Sequence, residues 1–531
     1  MIRRRIAILF LPALLILLAA GVFAWLLHSE PGARWIMGRV VAAVPGQLHF
    51  ERVTGDLQSG LRIVGPAYRD EGISLTADTL ELRLDLGFWP PAITVHELRT
   101  GSLELRSETA TTSASESSPA DWLPALTLPV PIEFRQVRGD RIAWYGGPAE
   151  PPLELRDLSL AAYWYRSLEL RRVEVISGVS RWQADLVLDL QMPHALDLGL
   201  RGSIEAPEAA GLGHPIEFEV AGSGDSNRSR WNLQIVNPGL TIAGELRDLL
   251  GTPAWDLQLE AHQLQWPLEA DEPDLLLSQV VASSYGTAAE YGLEVEAAVA
   301  GAAVPTLQGK LVGSGDSMGL DIRVMHLDGE AARLEGSGRI DWASALHAGA
   351  AVDILHLDPG FWLPEWGEAE PVRGRLELAW ANQQVNFKLL ELEAPGTFAA
   401  LQGSGAVDLA SGIVSADLEW RNLAWPPGAA EPLVRSEHGG AILAGRLDEW
   451  TVSGELDLSG PDFPPGRLQV QGGGNADSLH LVIPQGAVLG GGLAGELDVT
   501  WAPEVQWAVN ARVSNLATAP VAPDFPGRLS G

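Results

Sequence analysis

The spacing of apolar positions changes twice along this chain, and each change predicts a different element. From Ile6 to Leu27 apolar residues run almost unbroken and uncharged behind Arg3, Arg4 and Arg5. About 20 apolar residues in a helix, each rising roughly 1.5 Å, span the hydrocarbon core of a bilayer. Residues 1–28 are therefore expected to form a cytoplasmic N-terminus and one transmembrane anchor. Its apolar body is Ile6, Leu9, Leu11, Leu14, Leu15, Leu17, Leu18, Val22, Phe23, Leu26 and Leu27. The arginines hold the start of the chain in the cytoplasm and place everything after Leu27 across the membrane. Pro12 is compatible with a membrane helix. A cleaved secretory signal ending near Val22-Phe23-Ala24 is the alternative, although a signal's apolar core is shorter, about 7–15 residues. Either element exports the rest of the chain.

Residues 29–46 take a helical period. Ser29 suits an N-cap and Pro31 a first turn. Ile36, Met37, Val40, Val41 and Val44 fall on one face, and Pro45-Gly46 ends the pattern. Such a short amphipathic helix either covers the first edge of a sheet or lies on the membrane surface, where Ile36–Val44 would be a loading region.

From Gln47 onward the period is two. Leu80, Leu82, Leu84 and Leu86 alternate with Glu81, Arg83 and Asp85, which predicts a strand with one apolar and one charged face. The same alternation appears at Leu103 and Leu105, at Leu168 and Leu170, and at Trp182, Ala184, Leu186, Leu188 and Leu190. It returns at Ile216, Phe218 and Val220, and near the end at Val505, Trp507, Val509, Ala511 and Val513. Turn residues separate these runs at short intervals, so an antiparallel meander is expected. The stretch Ser107–Asp121 is small, polar and aperiodic, and reads as a flexible loop.

Beyond about residue 210 the sequence repeats itself. Val220-Ala-Gly-Ser-Gly-Asp225 is echoed by Val312-Gly-Ser-Gly-Asp316 and by Gln471-Gly-Gly-Gly-Asn475. Glycine-led strands at Gly244, Gly338, Gly405 and Gly495 run to ends such as Leu264-Gln-Trp-Pro267 and Leu423-Ala-Trp-Pro426. The irregular unit length suggests an extended sheet built by repetition rather than a propeller. The expected organisation is an N-terminal β region over 47–210 and repeated units over 211–531, the last incomplete.

Composition narrows the function. The 531 residues carry a net charge of -32, which argues against nucleic acid as a partner. There is no cysteine, so neither disulfides nor a thiolate zinc site can form. The sequence has 58 Gly and 36 Pro while 46% of it remains hydrophobic, which fits short strands and turns better than disorder.

The glycine clusters at Gly222 and Gly313 lack the lysine of a phosphate loop and precede strands, so they read as tight turns. The histidines show no zinc spacing, no nucleophile elbow is expected, and the carboxylates alternate with leucines as a solvated face does. A non-enzymatic chain without cofactor or metal is expected. On the residues alone, a sandwich or β-helix covers the apolar face, with Trp144, Trp182, Trp231, Trp255, Trp380 and Trp507 as core. The other solution is a trough filled by apolar ligand.

One resemblance favours the trough. The basic anchor and short helix are followed by Phe50-Glu-Arg-Val-Thr-Gly55, Leu61-Arg-Ile-Val-Gly-Pro66 and Gly72-Ile-Ser-Leu-Thr-Ala77. Then come Leu80 to Leu86, Val95-His-Glu-Leu98, Gly101-Ser-Leu-Glu-Leu105, the polar insertion, Pro131-Ile-Glu-Phe134 and Gly139-Asp-Arg-Ile142. This order resembles the TamB family, the inner-membrane component of the translocation and assembly module, within the AsmA-like group.

The resemblance implies an inner-membrane anchor in a Gram-negative bacterium and an all-β, elongated, curled antiparallel β-groove across the periplasm. It also implies phospholipid movement between the membranes, support of autotransporter and outer-membrane protein assembly, and a C-terminal domain that meets the outer-membrane barrel TamA. That domain is not recognisable in this sequence. The expected groove lining is Leu80, Leu82, Leu84, Leu86, Leu103, Leu105, Leu186, Leu188, Leu190, Phe218, Val220, Val505, Trp507 and Val509. The alternative function is a scaffold or chaperone offering sheet edges to outer-membrane β-proteins without conducting lipid. A carbohydrate-binding solenoid is disfavoured, because the outward positions are mostly Glu, Asp, Arg and Gln.

Overall fold

The computed structural model describes the chain except residues 1–20, 23–24, 45, 71–72, 108–122, 147–151, 206–214, 269, 344, 363–369, 426–430, 447, 462–463, 476, 501–505, 521–523 and 525. It comprises two compact units, 1–260 and 261–531, each described by itself. The boundary expected at 210/211 falls on residues outside the description.

The first unit opens with the helix Glu30–Ala43. Ser29 caps it, its hydroxyl accepting the Gly32 N–H at 3.1 Å, with Pro31 in the first turn and Glu30 at the positive end of the helix dipole. The helix packs on strands rather than standing free. Ala33 is buried with Val53, Leu57, Leu61 and Ile63, and Ile36, Met37 and Leu27 pack beside them. Arg34 Nε donates to the Val53 carbonyl at 3.3 Å, which occupies a backbone acceptor on the first strands.

Most of the expected transmembrane anchor lies outside the described residues. Among the described residues no helix is long and apolar enough to cross a membrane. Ile6, Leu9, Leu11, Leu14, Leu15, Leu17, Leu18 and Phe23 lie outside the described residues. Val22, Leu26 and Leu27 are helical, and Leu27 is drawn onto the cluster around Ala33.

The strands follow the period-two pattern. In the first unit Gly60–Val64 pairs with Arg52–Asp56 on one side and Thr79–Phe88 on the other. The long strand Pro91–Ser107 pairs along one edge with Thr79–Phe88 and then Ile73–Ala77. From Ile132–Tyr145 to Leu240–Arg247 each strand pairs antiparallel with the next.

The expected meander is broken in the first unit: Gly60–Val64 skips to Thr79–Phe88 and Ile73–Ala77 to Pro91–Ser107, and Pro91–Ser107 and Ile132–Tyr145 run parallel. A parallel pair needs a crossover of a dozen or more residues, because the chain must return to the same end of the sheet. The polar segment predicted as a loop belongs to that connection. In the second unit the strands from Leu275–Thr287 to Gln506–Ser514 pair antiparallel in chain order.

The glycine clusters, expected as tight turns, are strand ends instead: residues 222–224 and 313–315 close the strands Ile216–Gly224 and Leu307–Gly315, and the hairpin turn begins at the Asp or Asn that follows. Asp225 Oδ1 accepts the N–H groups of Asn227 and Arg228 at 2.8 and 3.0 Å, and Asp316 Oδ1 those of Met318 and Gly319 at 2.7 and 3.1 Å. Asn475 does the same for Asp477 and Ser478 at 2.8 and 3.0 Å. An Asx side chain that mimics a backbone turn explains why this tripled sequence ends in Asp or Asn.

Leu61, 1% exposed, is the most deeply buried of the large apolar side chains in the cluster under the helix. Leu61→Ala is expected to cost about 2–5 kcal/mol locally. Hydrogen exchange should then quicken over residues 52–64 while strands beyond 150 keep their protection.

Candidate functional site

Direct cross-strand partners stand on the same face of a sheet, so register decides which side chains meet. In the first unit Leu84 faces Val95, which faces Phe134, which faces Ala162. The row continues through Leu170, Leu186, Leu198 and Gly222 to Trp231. Beside it runs a second row from Leu86 through Ile93, Ile132, Trp164 and Leu168 to Leu188 and Leu196. Leu82 joins Leu98 and Val137, and Leu80 pairs with Thr100. Leu103 and Leu105 join Ile142 and Trp144, Val220 joins Leu200 and Leu233, and Phe218 joins Gly202 and Ile235. Through these registers Leu80, Leu82, Leu84, Leu86, Leu186, Leu188, Phe218 and Val220 stand on one apolar face, while Leu103 and Leu105, at odd spacing from Leu98 and Thr100 on the same strand, form separate rows with Ile142 and Trp144.

Leu190 is a further exception. It lies past its strand, is 0% exposed, and donates its N–H to the Arg166 carbonyl at 2.9 Å. It is a buried strand-end residue.

The second unit repeats the arrangement. Leu293 faces Gly313, and the row passes through Ile322, Gly338, Ala350 and Leu378 to Phe387. It continues through Gly405, Ala416, Leu443, Val452, Gly472, Leu481 and Leu497 to Val509. Trp507 faces Val499; it is 72% exposed and Val509 is 57% exposed, both on the last long strand. Val505 lies outside the described residues. These rows were missed in the sequence over residues 275–500, although Arg375-Leu376-Glu377-Leu378 carries the same alternation as Leu80 to Leu86.

Bulges keep the face in phase. Between Leu170 and Val173 the register shifts by one, with Arg172 at φ 50°, so both apolar residues stay on the side of Leu186 and Ala184. Large side chains are matched by glycine. A Cβ on Gly222 would stand 2.6 Å from the Trp231 ring, and one on Gly439 2.4 Å from Trp420. Each indole N–H is fixed by a buried serine: Trp231 donates to Ser229 Oγ and Trp420 to Ser436 Oγ, both at 2.8 Å.

Most residues of this face are neither buried nor free; they sit half-buried, while Arg83, Asp85, Arg106, Asp185, Glu217 and Glu219 on the alternate positions are exposed. Among the described residues the extensive contacts of each strand are with strands bonded to it, apart from the helix on the first strands.

The opposite face carries cross-strand ion pairs. Glu154 bridges Arg141 and Arg156, Glu245 bridges Arg228 and Arg247, and Lys310 binds Glu294 and Glu296. The hydrogen bond from Arg141, then that from Arg156, holds the Glu154 carboxyl below the usual carboxylate range; Arg228, then Arg247, does the same for Glu245.

The rest of the chemistry is spare. Gly315-Asp-Ser-Met-Gly319 has the G-x-S-x-G spelling, contrary to expectation, but it joins two strands and not a strand to a helix. Among the described residues no group of three His, Cys, Asp or Glu side chains could hold a metal ion.

Two predictions follow the two faces. Gly439→Ala should force Trp420 from its seat and off Ser436, at about 1–3 kcal/mol; faster hydrogen exchange over 413–446 reads it. For the charged face, the lowered carboxyls of Glu154 and Glu245 give stability that is present above their ordinary value near 4.5. It is lost as pH falls through the lower folded values. The melting-temperature gap between the chain and its Glu154→Gln, Glu245→Gln variant should therefore be open at neutral pH and close in acid.

Comparison with known proteins places this face in a family. No solved structure matches the chain. The family model described as TamB, N-terminal domain, matches residues 18–179, 149–412 and 390–531, three overlapping stretches that together reach from residue 18 to residue 531. The repeated match agrees with the repeated apolar rows, and the chain belongs to the TamB family.

Proposed function

We propose that the apolar face of this chain is a conduit for the acyl chains of phospholipids, carrying them from the inner membrane towards the outer membrane of a Gram-negative envelope. The observation that carries the proposal is the continuity of the half-exposed apolar rows in each unit, with ion pairs turned to the other side. Contiguous apolar surface beyond a few hundred Å² is rarely left against water, so such a face is covered by something apolar. A fluid acyl chain can do this at every strand without a complementary shape, whereas a folded partner would need one.

The same proposal includes anchoring through Ile6–Leu27, the bulk of the chain in the periplasm, support of outer-membrane protein and autotransporter assembly, and co-operation with the barrel TamA. Curling of the sheet into a groove belongs to the proposal too.

Photocrosslinkers placed at Leu82 and Leu186 in cells should capture phospholipid. Capture of polypeptide instead would favour a scaffold for client strands, and capture of neither would refute both. Leu186→Asp should reduce bound lipid and outer-membrane integrity while leaving thermal unfolding nearly unchanged. If the face is a dry core, the same carboxylate should cost several kcal/mol of stability.

A further inference from the structure

One part of the apolar face in the second unit is walled. At the ends of the strands His347–Leu357, Val372–Ala381, Gln384–Ala394, Ala399–Asp408, Ile413–Trp425 and Val434–Arg446 there is a cavity of about 540 Å³. Leu357, Val372, Leu392, Leu401, Leu423 and Trp425 line it. That volume lies within the roughly 300–1,000 Å³ of small-molecule sites.

Its wall on the strand-end side is the turn Pro359–Phe361 with Trp362. Asp358 caps the turn by accepting the Gly360 N–H at 2.8 Å. Trp362 Nε1 donates to the Ala303 carbonyl at 2.8 Å, tying the wall to a loop 59 residues earlier.

Apart from the exposed Glu393 at the rim, polar side chains of the lining are engaged with the protein. The Glu370 carboxylate accepts the N–H groups of Gly396 and Thr397, and the Thr397 hydroxyl donates to the Ala394 carbonyl at 3.4 Å. Asn422 Nδ2 donates to the Phe398 carbonyl at 3.1 Å. Ser436 accepts from Trp420 Nε1 and donates to the His438 carbonyl at 3.3 Å. A polar ligand would find these groups occupied, and an apolar cavity takes apolar matter.

Register adds a constraint on length. Leu392 faces both Gly374 and Leu401, so the cavity opens onto the long rows through Leu376, Leu390 and Leu418. Its occupant can extend out along the face, as a chain does and a compact molecule does not. Charge adds another. Glu393 stands exposed at the cavity in a chain of net charge -32, which disfavours the carboxylate of a free fatty acid and suits a headgroup bearing a cation.

We propose that this cavity is a holding site for one acyl chain of an ethanolamine glycerophospholipid, walled by Pro359–Trp362, where lipid pauses on the apolar face. The proposal rests on the conduit reading above. It adds one location at which occupancy is high.

The test uses the full chain with vesicles of phosphatidylethanolamine carrying a diazirine on the acyl chain, photolysed and mapped by mass spectrometry. Labelling at Leu392, Leu423 and Trp425 should exceed that at Val452 and Leu481 several-fold. Ala394→Trp, which fills the cavity, should remove the excess and leave labelling at Val452 unchanged; Ala399→Phe serves if that variant fails to fold. Equal labelling at all five positions would overturn the holding site and leave the conduit standing. No labelling anywhere would overturn both. Stronger labelling by a diazirine palmitate than by the phospholipid, or failure of both filling variants to lower the excess, would overturn the proposal.

Discussion

An alternating strand has one face that water solvates and one that it rejects, and hydrogen bonds to neighbouring strands do nothing to cover the second. Everything in this molecule is arranged around that uncovered side. At Leu61 the solution is ordinary: the helix Glu30–Ala43 lies over the first strands and makes a dry cluster. Further along, among the described residues, no comparable layer is laid on the rows through Leu186 and Leu443. The sheet holds together there through its ladders, its turns and the lateral contact of apolar side chains with their cross-strand neighbours. The charged side contributes ion pairs such as Arg339 with Asp321 and Asp341, whose exposure limits their worth.

The pairing of tryptophan with glycine shows how such a face is kept packed without growing tall. Trp231 lies against Gly222 and Trp420 against Gly439, and in each case a Cβ at the glycine would collide with the ring. The indole nitrogen is directed into the sheet, to Ser229 in one unit and Ser436 in the other. A large ring is thereby held flat along the surface. Lateral space is filled, and the side chain does not project into the volume that an acyl chain would occupy.

Much of this was legible in the sequence because the determinants are local. Alternation at Leu80 to Leu86 gives a strand and a face, and an Asx residue after a glycine cluster gives a turn. The parallel pairing of Pro91–Ser107 with Ile132–Tyr145 was not legible, since strand direction is set by where the connection returns. Register was equally hidden: the bulge at Arg172 preserves the face only because of a backbone angle that no composition reveals. Leu190 carries the same alternation as Leu188, yet the chain past the strand end buries it. The cavity near Leu392 is the least legible feature. Its wall depends on an indole reaching a carbonyl 59 residues away.

In each unit most strands are bonded to the strands adjacent in the chain, so the sheet is close to a one-dimensional array. Such an array has no central core that fixes its length. A hairpin can be gained or lost between two strands, and the flanking ladders reseal as long as apolar register is kept. Removing a whole pair returns the chain to the same rim, so turns like those at Asp225 and Asp316 stay on their side. The extent of the apolar surface in each unit is then an adjustable quantity, set by the number of hairpins, and under the conduit proposed above it would lengthen or shorten the path without altering its lining.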